Sequence, residues 1–272
     1  MGTTVVTGVY GSGKTEFCVN LALRLRHCKS PDRRCNLHPC HCGPLVSGAV
    51  QPETCNPQSC TGVGIAGQAR NDGDNNRNDG SVTIADLDVI NPYFRSREKA
   101  AWLCDLGVDV MGDCLNNNTG QDLPAVSFGF LSRVRSGQNV VVDLAGGRLG
   151  LNLLASCYDA LRACPGFEFL CVLNAYRRET SDGRKMADFV NEINSVSKIA
   201  VTGLVNNGHM LRETAAEHVL ASQTEVLKAA EILGLPVKFT MLRRDIYAEI
   251  KDEIKSREVL VFDHPIMRES WQ

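Results

Sequence analysis

Gly8-Val9-Tyr10-Gly11-Ser12-Gly13-Lys14-Thr15 decides how this chain is read. Three glycines spaced through eight residues let the backbone curl until successive N–H groups face one point. The β-rich run Thr3-Thr4-Val5-Val6-Thr7 precedes the stretch. An amphipathic segment over 16–26 follows, with Phe17, Leu21 and Leu25 recurring every fourth residue. Strand, glycine loop and helix in that order form a phosphate-binding loop of the Walker A pattern. Gly8, Gly11, Ser12 and Gly13 supply backbone, and the helix start at Lys14, Thr15 and Glu16 adds its positive dipole end. Lys14 reaches the β- and γ-phosphates, and the Thr15 hydroxyl ligates Mg²⁺. The plain alternative is a glycine-rich turn that happens to open a helix.

Outward from the loop, apolar β-runs alternate with helical patterns, as in a doubly wound, mostly parallel α/β sheet. Further strands are expected over 81–85, 139–142, 167–173, 199–205 and 236–242, and helices over 151–163, 181–195 and 211–233. Several strands end in polar residues or glycine, and that edge of an open parallel sheet is where ligands bind. Asp86 and Asp88 follow the second run, and Asp143 closes Val140-Val141-Val142 ahead of Gly146-Gly147. A carboxylate at that place holds an Mg²⁺-bound water, and the glycine pair offers mobile backbone to sense a γ-phosphate. An aspartate at a strand end also serves as a plain turn or helix cap, a reading that fits Asp88 equally well.

In sequence order, the loop, the Asp86-x-Asp88 pair, Val141-Val142-Asp143-Leu144-Ala145-Gly146-Gly147 and Gly203-Leu204-Val205-Asn206-Asn207 resemble the MinD/ParA/CobQ-type P-loop ATPases of the SIMIBI class. The stretch Asp88-Val89-Ile90-Asn91-Pro92-Tyr93-Phe94-Arg95 resembles an uncharacterised bacterial ATP-binding branch of that group. The resemblance implies a P-loop nucleotide-binding fold and slow hydrolysis of Mg·ATP as a conformational switch. It gives Lys14, Asp86 and Asp143 catalytic roles, with Asp86 orienting the attacking water. Mg²⁺ falls to Thr15, Asp86 and Asp143, and adenine to Asn206 or Asn207. No Asn-Lys-x-Asp guanine motif stands at either strand end, which favours ATP over GTP. The resemblance also raises a homodimer and an unidentified client protein or metabolite as partners. Two positions depart from it. Val9 stands where many such ATPases carry a second lysine that reaches across a dimer, and Ala145 where the nitrogenase iron protein carries a cluster cysteine. Small-molecule kinases, ATP-dependent ligases and ATP-coupled redox or adaptor proteins use the same phosphate chemistry and stay open as alternatives.

Length and composition fit one nucleotide-binding domain over 1–272. The chain has 272 residues, 43% hydrophobic and 22% charged, with a formal net charge of −2. No basic excess exists to neutralise nucleic-acid phosphates, so no nucleic-acid partner is expected. No run approaches the roughly 18 apolar residues of a membrane span, and no leader is visible, so a cytoplasmic protein is expected. Segment 28–80 breaks the α/β alternation and reads as an irregular insertion. It holds six of the twelve cysteines, Cys28, Cys35, Cys40, Cys42, Cys55 and Cys60, with His27, His38 and His41 nearby. Such a density suits Zn²⁺ or an iron–sulfur cluster, yet the spacing matches neither a paired Cys-x2-Cys finger nor a ferredoxin run. A metal-free surface insertion is therefore the preferred reading. His209, His218, Tyr10 and the pair Arg177-Arg178 receive no role, the arginines being read as solvated.

Overall fold

A computed structural model describes residues 2–27, 81–88, 96–112 and 129–267. The elements run β1 (Thr3–Gly8), α1 (Lys14–His27), β2 (Val82–Leu87), α2 (Ala100–Asp105), β3 (Val108–Met111), α3 (Phe130–Arg135), β4 (Asn139–Leu144), α4 (Arg148–Ser156), α5 (Tyr158–Arg162), β5 (Glu168–Leu173), α6 (Gly183–Ser197), β6 (Gly203–Asn206), α7 (Ala216–Leu233), β7 (Val237–Arg243), α8 (Arg244–Ile250) and β8 (Glu258–Phe262). The strands form one sheet in the order β3-β2-β4-β1-β5-β6-β7-β8. Every pairing in it is parallel.

Alternation along the strands explains why both faces are covered. Successive side chains point to opposite faces. Val5, Val140, Val142, Phe169, Cys171 and Leu173 face one way and pack under α3 to α7 through Phe130, Leu154, Leu161, Met186, Val190 and Val226. Val6, Val141, Leu170 and Val172 face the other way and meet Phe17, Cys18, Leu21 and Ala22 of α1 and Leu103 of α2. A strand buried on both faces reads as an unbroken apolar run, which is the form of Val140-Val141-Val142. Helix ends are set locally: the Asp182 carboxylate caps α6 by accepting from the Lys185 N–H at 2.9 Å, and Gly234 closes α7 with φ 64°.

The doubly wound parallel fold expected from the sequence is the fold observed. Each of the six strands read from the sequence is present within a few residues of its expected place. Two were not read. β3 and β8 are the outermost strands, short and only half-buried, so their sequences lack the continuous apolar signal. The single helix expected over 151–163 is two, interrupted at Cys157. The one over 211–233 begins with a separate helical turn, Leu211–Glu213, before α7. Segment 28–80, with its cysteine cluster and the metal reading attached to it, lies outside the described residues, as does 89–95. Among the described residues no helix is long and apolar enough to cross a membrane.

β1 sits between β4 and β5, where the winding of the chain reverses direction. A crevice opens there at the carboxyl ends of the strands. Gly8 ends β1 on that edge, with Asp143 near the end of β4 on one side and Asn174 just beyond β5 on the other.

Candidate functional site at the carboxyl edge of the sheet

The loop between β1 and α1 is a tight backbone cradle. The Ser12 N–H donates to the Val9 carbonyl at 3.1 Å, and the Phe17 N–H donates to the Gly13 carbonyl at 3.0 Å as the first helical bond. Gly11 and Gly13 take φ of 74° and 85°, conformations that cost a residue with a side chain about 1 kcal/mol or more. Gly13 has a second constraint: a Cβ there would stand 2.2 Å from the Asn207 Nδ2. That amide donates to the Ser12 carbonyl at 2.7 Å, so Asn207 braces the loop from β6. From the other flank Gly146 lies against the loop, and a Cβ on it would stand 1.9 Å from the Gly8 carbonyl oxygen. Backbone on backbone cannot yield as a flexible side chain would. Gly146→Ala is therefore expected to push the β4 end off the loop and weaken Mg·nucleotide binding by about 10-fold, measured by titration calorimetry, with one misplaced contact as the cause.

Charge is concentrated on the β4–β2 side. Lys14 is 7% exposed, and its Nζ lies 3.8 Å from an Asp88 carboxylate oxygen. Asp143 is wholly buried, and among the described residues neither of its oxygens has a hydrogen-bond partner of good geometry. Burial, with Asp86 nearby, pushes its carboxyl up to about 7, while Lys14 and the adjacent Thr15 hydroxyl favour the charged form. A buried carboxylate needs compensation by a cation or by donors, since its desolvation is otherwise costly. Asp143 with Thr15 and the anionic phosphates beside Lys14 would make an all-oxygen set, which is what Mg²⁺ takes. The residues present therefore fit that ion.

Asp86 is placed differently from expectation. One of its oxygens accepts from the Asp88 N–H at 3.2 Å, and the other accepts from the Arg97 N–H at 3.4 Å and the Arg97 Nε at 3.3 Å. The carboxyl is 2% exposed, and burial still raises its pKa against the pull of Arg97. Both oxygens are engaged by protein, so in this structure Asp86 ties the turn after β2 to Arg97. The carboxylate that faces Lys14 is that of Asp88.

The two asparagines divide. Asn206 accepts from the Ser222 hydroxyl at 2.8 Å, donates to the Val219 carbonyl at 3.5 Å and is fully buried. It holds α7 to the sheet. Asn207, which points the opposite way along the strand, is the one that meets the loop. Glu16 is likewise redirected: its carboxylate accepts from Asn20 at 2.9 Å and from the N–H groups of Ile266 and Met267 at 2.8 and 2.9 Å. It ties the segment after β8 to the first turn of α1, and only its backbone remains for a phosphate. Gly147 opens α4, its carbonyl accepting from the Leu151 N–H.

One contact was not foreseen. Arg177, read as solvated, sends its Nε to the Gly11 carbonyl at 2.8 Å. A turn fixes it there: the Arg177 N–H donates to the Asn174 carbonyl, and the Asn174 amide donates to the His209 carbonyl at 3.1 Å. Arg178 beside it is exposed.

No family model matches the chain, and no curated protein matches it. Solved structures that resemble it include the cell division protein FtsY of Thermotoga maritima, with a TM-score of 0.47, 20% identity, and coverage of 89% of this chain and 61% of that one. The signal recognition particle 54 kDa protein of Aeropyrum pernix, solved in complex with GDP, gives a TM-score of 0.48 at 16% identity over 88% of this chain and 41% of that one. FtsY of Mycoplasma mycoides gives 0.46 at 16% identity over 88% and 58%. The chain spans less than two thirds of the length of each.

Proposed function

We propose that this chain binds Mg·ATP in the loop between β1 and α1, hydrolyses it slowly, and uses the cycle as a switch. The observation that carries the reading is the buried carboxylate of Asp143, without a well-formed hydrogen bond among the described residues, set beside Lys14 and Thr15 within a backbone cradle. Asp143 and the Thr15 hydroxyl would hold Mg²⁺, which when bound offsets charge developing on the terminal phosphates. Backbone N–H groups of the cradle and the start of α1 bind phosphate oxygens. Lys14, now paired with Asp88, would turn to the β- and γ-phosphates, leaving the Asp88 carboxylate to orient a water in line with the leaving group. The Asp86 turn and the Gly146–Gly147 segment, which flank that point, would close on the γ-phosphate and relax after cleavage.

ATP is favoured over GTP by the β6 edge. A carboxylate that accepts from the ring N1–H and the exocyclic amino group of guanine is the usual way to select that base, and Asn206-Asn207-Gly208-His209-Met210 supplies none. The Asn207 Oδ1, by contrast, makes no bond among the described residues and could accept from the adenine amino group. We further propose one domain over 1–272 interrupted by the insertion at 28–80, in a cytoplasmic protein with an unidentified client.

Asp88→Asn tests the mechanism. The variant should bind Mg·ATP at least as tightly as the parent, because a charge competing for Lys14 has gone. Phosphate release should fall by at least about 10-fold, the lower range for losing a positioned carboxylate. Undiminished phosphate release would remove Asp88 from the mechanism, and equal affinity for ATP and GTP in the parent would remove the base assignment.

A further inference from the structure

The two flanks of β1 divide the loop chemically. On the β4–β2 flank stand Asp143, Thr15, Lys14 and Asp88, the acidic and cationic groups that suit a metal and terminal phosphates. A triphosphate lying along the loop with its metal-bound end there must carry its nucleoside towards the other flank, over the ends of β5 and β6. Arg177, Asn207 and His209 occupy that side.

Arg177 is held in an unusual manner for a half-buried arginine. Its Nε, Cζ and Nη2 lie 3.0, 3.3 and 3.5 Å from the place a Cβ would take on Gly11. The guanidinium thus lies along the loop instead of pointing away from it. Among the described residues it pairs with no carboxylate, although nine ion pairs join other residues. One edge is fixed by Gly11, which orients the group without neutralising it. A planar, weakly hydrated cation held in this way suits an aromatic face better than a lysine would.

We infer that Arg177 is the nucleoside-side contact of the site, its guanidinium stacking on the purine base while its Nε holds the Gly11 turn. The inference rests on the nucleotide-binding reading above and adds to it a residue from the β5 end. Stacking recognises a purine without telling adenine from guanine, so base choice stays with the hydrogen-bonding edge at β6.

The test compares Mg·ATP with Mg²⁺-bound inorganic tripolyphosphate, which has the phosphate chain and no nucleoside. Both are titrated calorimetrically against the parent, Arg177→Ala and Arg177→Lys, with thermal melts as a check on folding. Lysine keeps the charge and can still donate to the Gly11 carbonyl, but it has no plane to stack. Both variants should lose about 10-fold in ATP affinity, the upper range for a desolvated cation–π contact. Tripolyphosphate affinity of the lysine variant should stay within about 2-fold of the parent, since a one-edge contact to the loop is retained. Recovery of ATP affinity by lysine, or a parallel loss of both ligands in the lysine variant, would overturn the stacking role. Unchanged ATP affinity in both variants would do the same. A parent chain that binds neither ligand would sink the phosphate-loop reading itself, and this inference with it.

Discussion

Lys14→Ala should weaken Mg·ATP binding by at least about 100-fold, since each charge-assisted hydrogen bond to a phosphate contributes roughly 1.5–3 kcal/mol and the lysine reaches two of them. The structure makes the loss larger than the contact alone. Asp88, whose carboxylate lies 3.8 Å from the ammonium, would then meet incoming phosphates without the Lys14 ammonium between them. The same change should lower thermal stability, because the buried Asp88 carboxylate loses its ion pair with the ammonium. The long separation argues for a cost below the roughly 3–5 kcal/mol of a well-formed buried pair. The double variant Lys14→Ala/Asp88→Asn separates the two effects. Melting temperature should recover in part, because the carboxylate that lost its ammonium partner is now a neutral amide, while ATP affinity stays low, because the phosphates still lack the lysine. Should Lys14→Ala alone bind Mg·ATP within about 3-fold of the parent, the ammonium is not a phosphate ligand and the site lies elsewhere.

The glycine loop was legible because its demands are local. Gly11 and Gly13 need positive φ, a strand must precede and a helix must follow, and all of this lies within one short stretch. The central strands were legible for a related reason, since burial on both faces leaves a run such as Val140-Val141-Val142 with no polar interruption. What the sequence withheld depends on parity and distance. Asn206 and Asn207 are adjacent, so one must face α7 and the other the loop, and nothing in their order says which. Asp86 and Asp88 are two apart and share a parity, so alternation does not separate them; Arg97, reached through residues with no periodic pattern, is what binds Asp86. Arg177 meets Gly11 across 166 residues of chain. Only the adjacency of β5 to β1, a property of the whole sheet, brings them together. An arginine three positions after a turn-forming asparagine was the available signal, and it reads equally well as solvated.

Lowering the pH from 8 to 5 should reduce Mg·ATP affinity by about 100-fold more in the parent than in Asp143→Asn, because a carboxyl titrating near 7 is about 1% ionised two units below. Protonation of ATP itself affects both proteins alike, so the difference between them isolates Asp143. The sign follows from burial: the carboxyl is neutral more readily in the fold than in the unfolded chain, and an oxygen ligand for Mg²⁺ must give up that proton before it binds. Stability of the protein without nucleotide should run the opposite way. Below the unfolded value of 3.8 both states hold the proton. As pH rises from there towards 7 the unfolded chain releases it first, so folding loses on the order of 1 kcal/mol per pH unit, and the loss ends once the folded carboxyl has ionised. Asp143→Asn abolishes that slope and should melt higher than the parent at pH 8 while binding Mg·ATP more weakly. Burial thus costs the nucleotide-free fold stability, and on the proposed reading a bound cation would offset that cost. A parent whose ATP affinity follows the same pH curve as Asp143→Asn would show that this carboxylate never meets the metal.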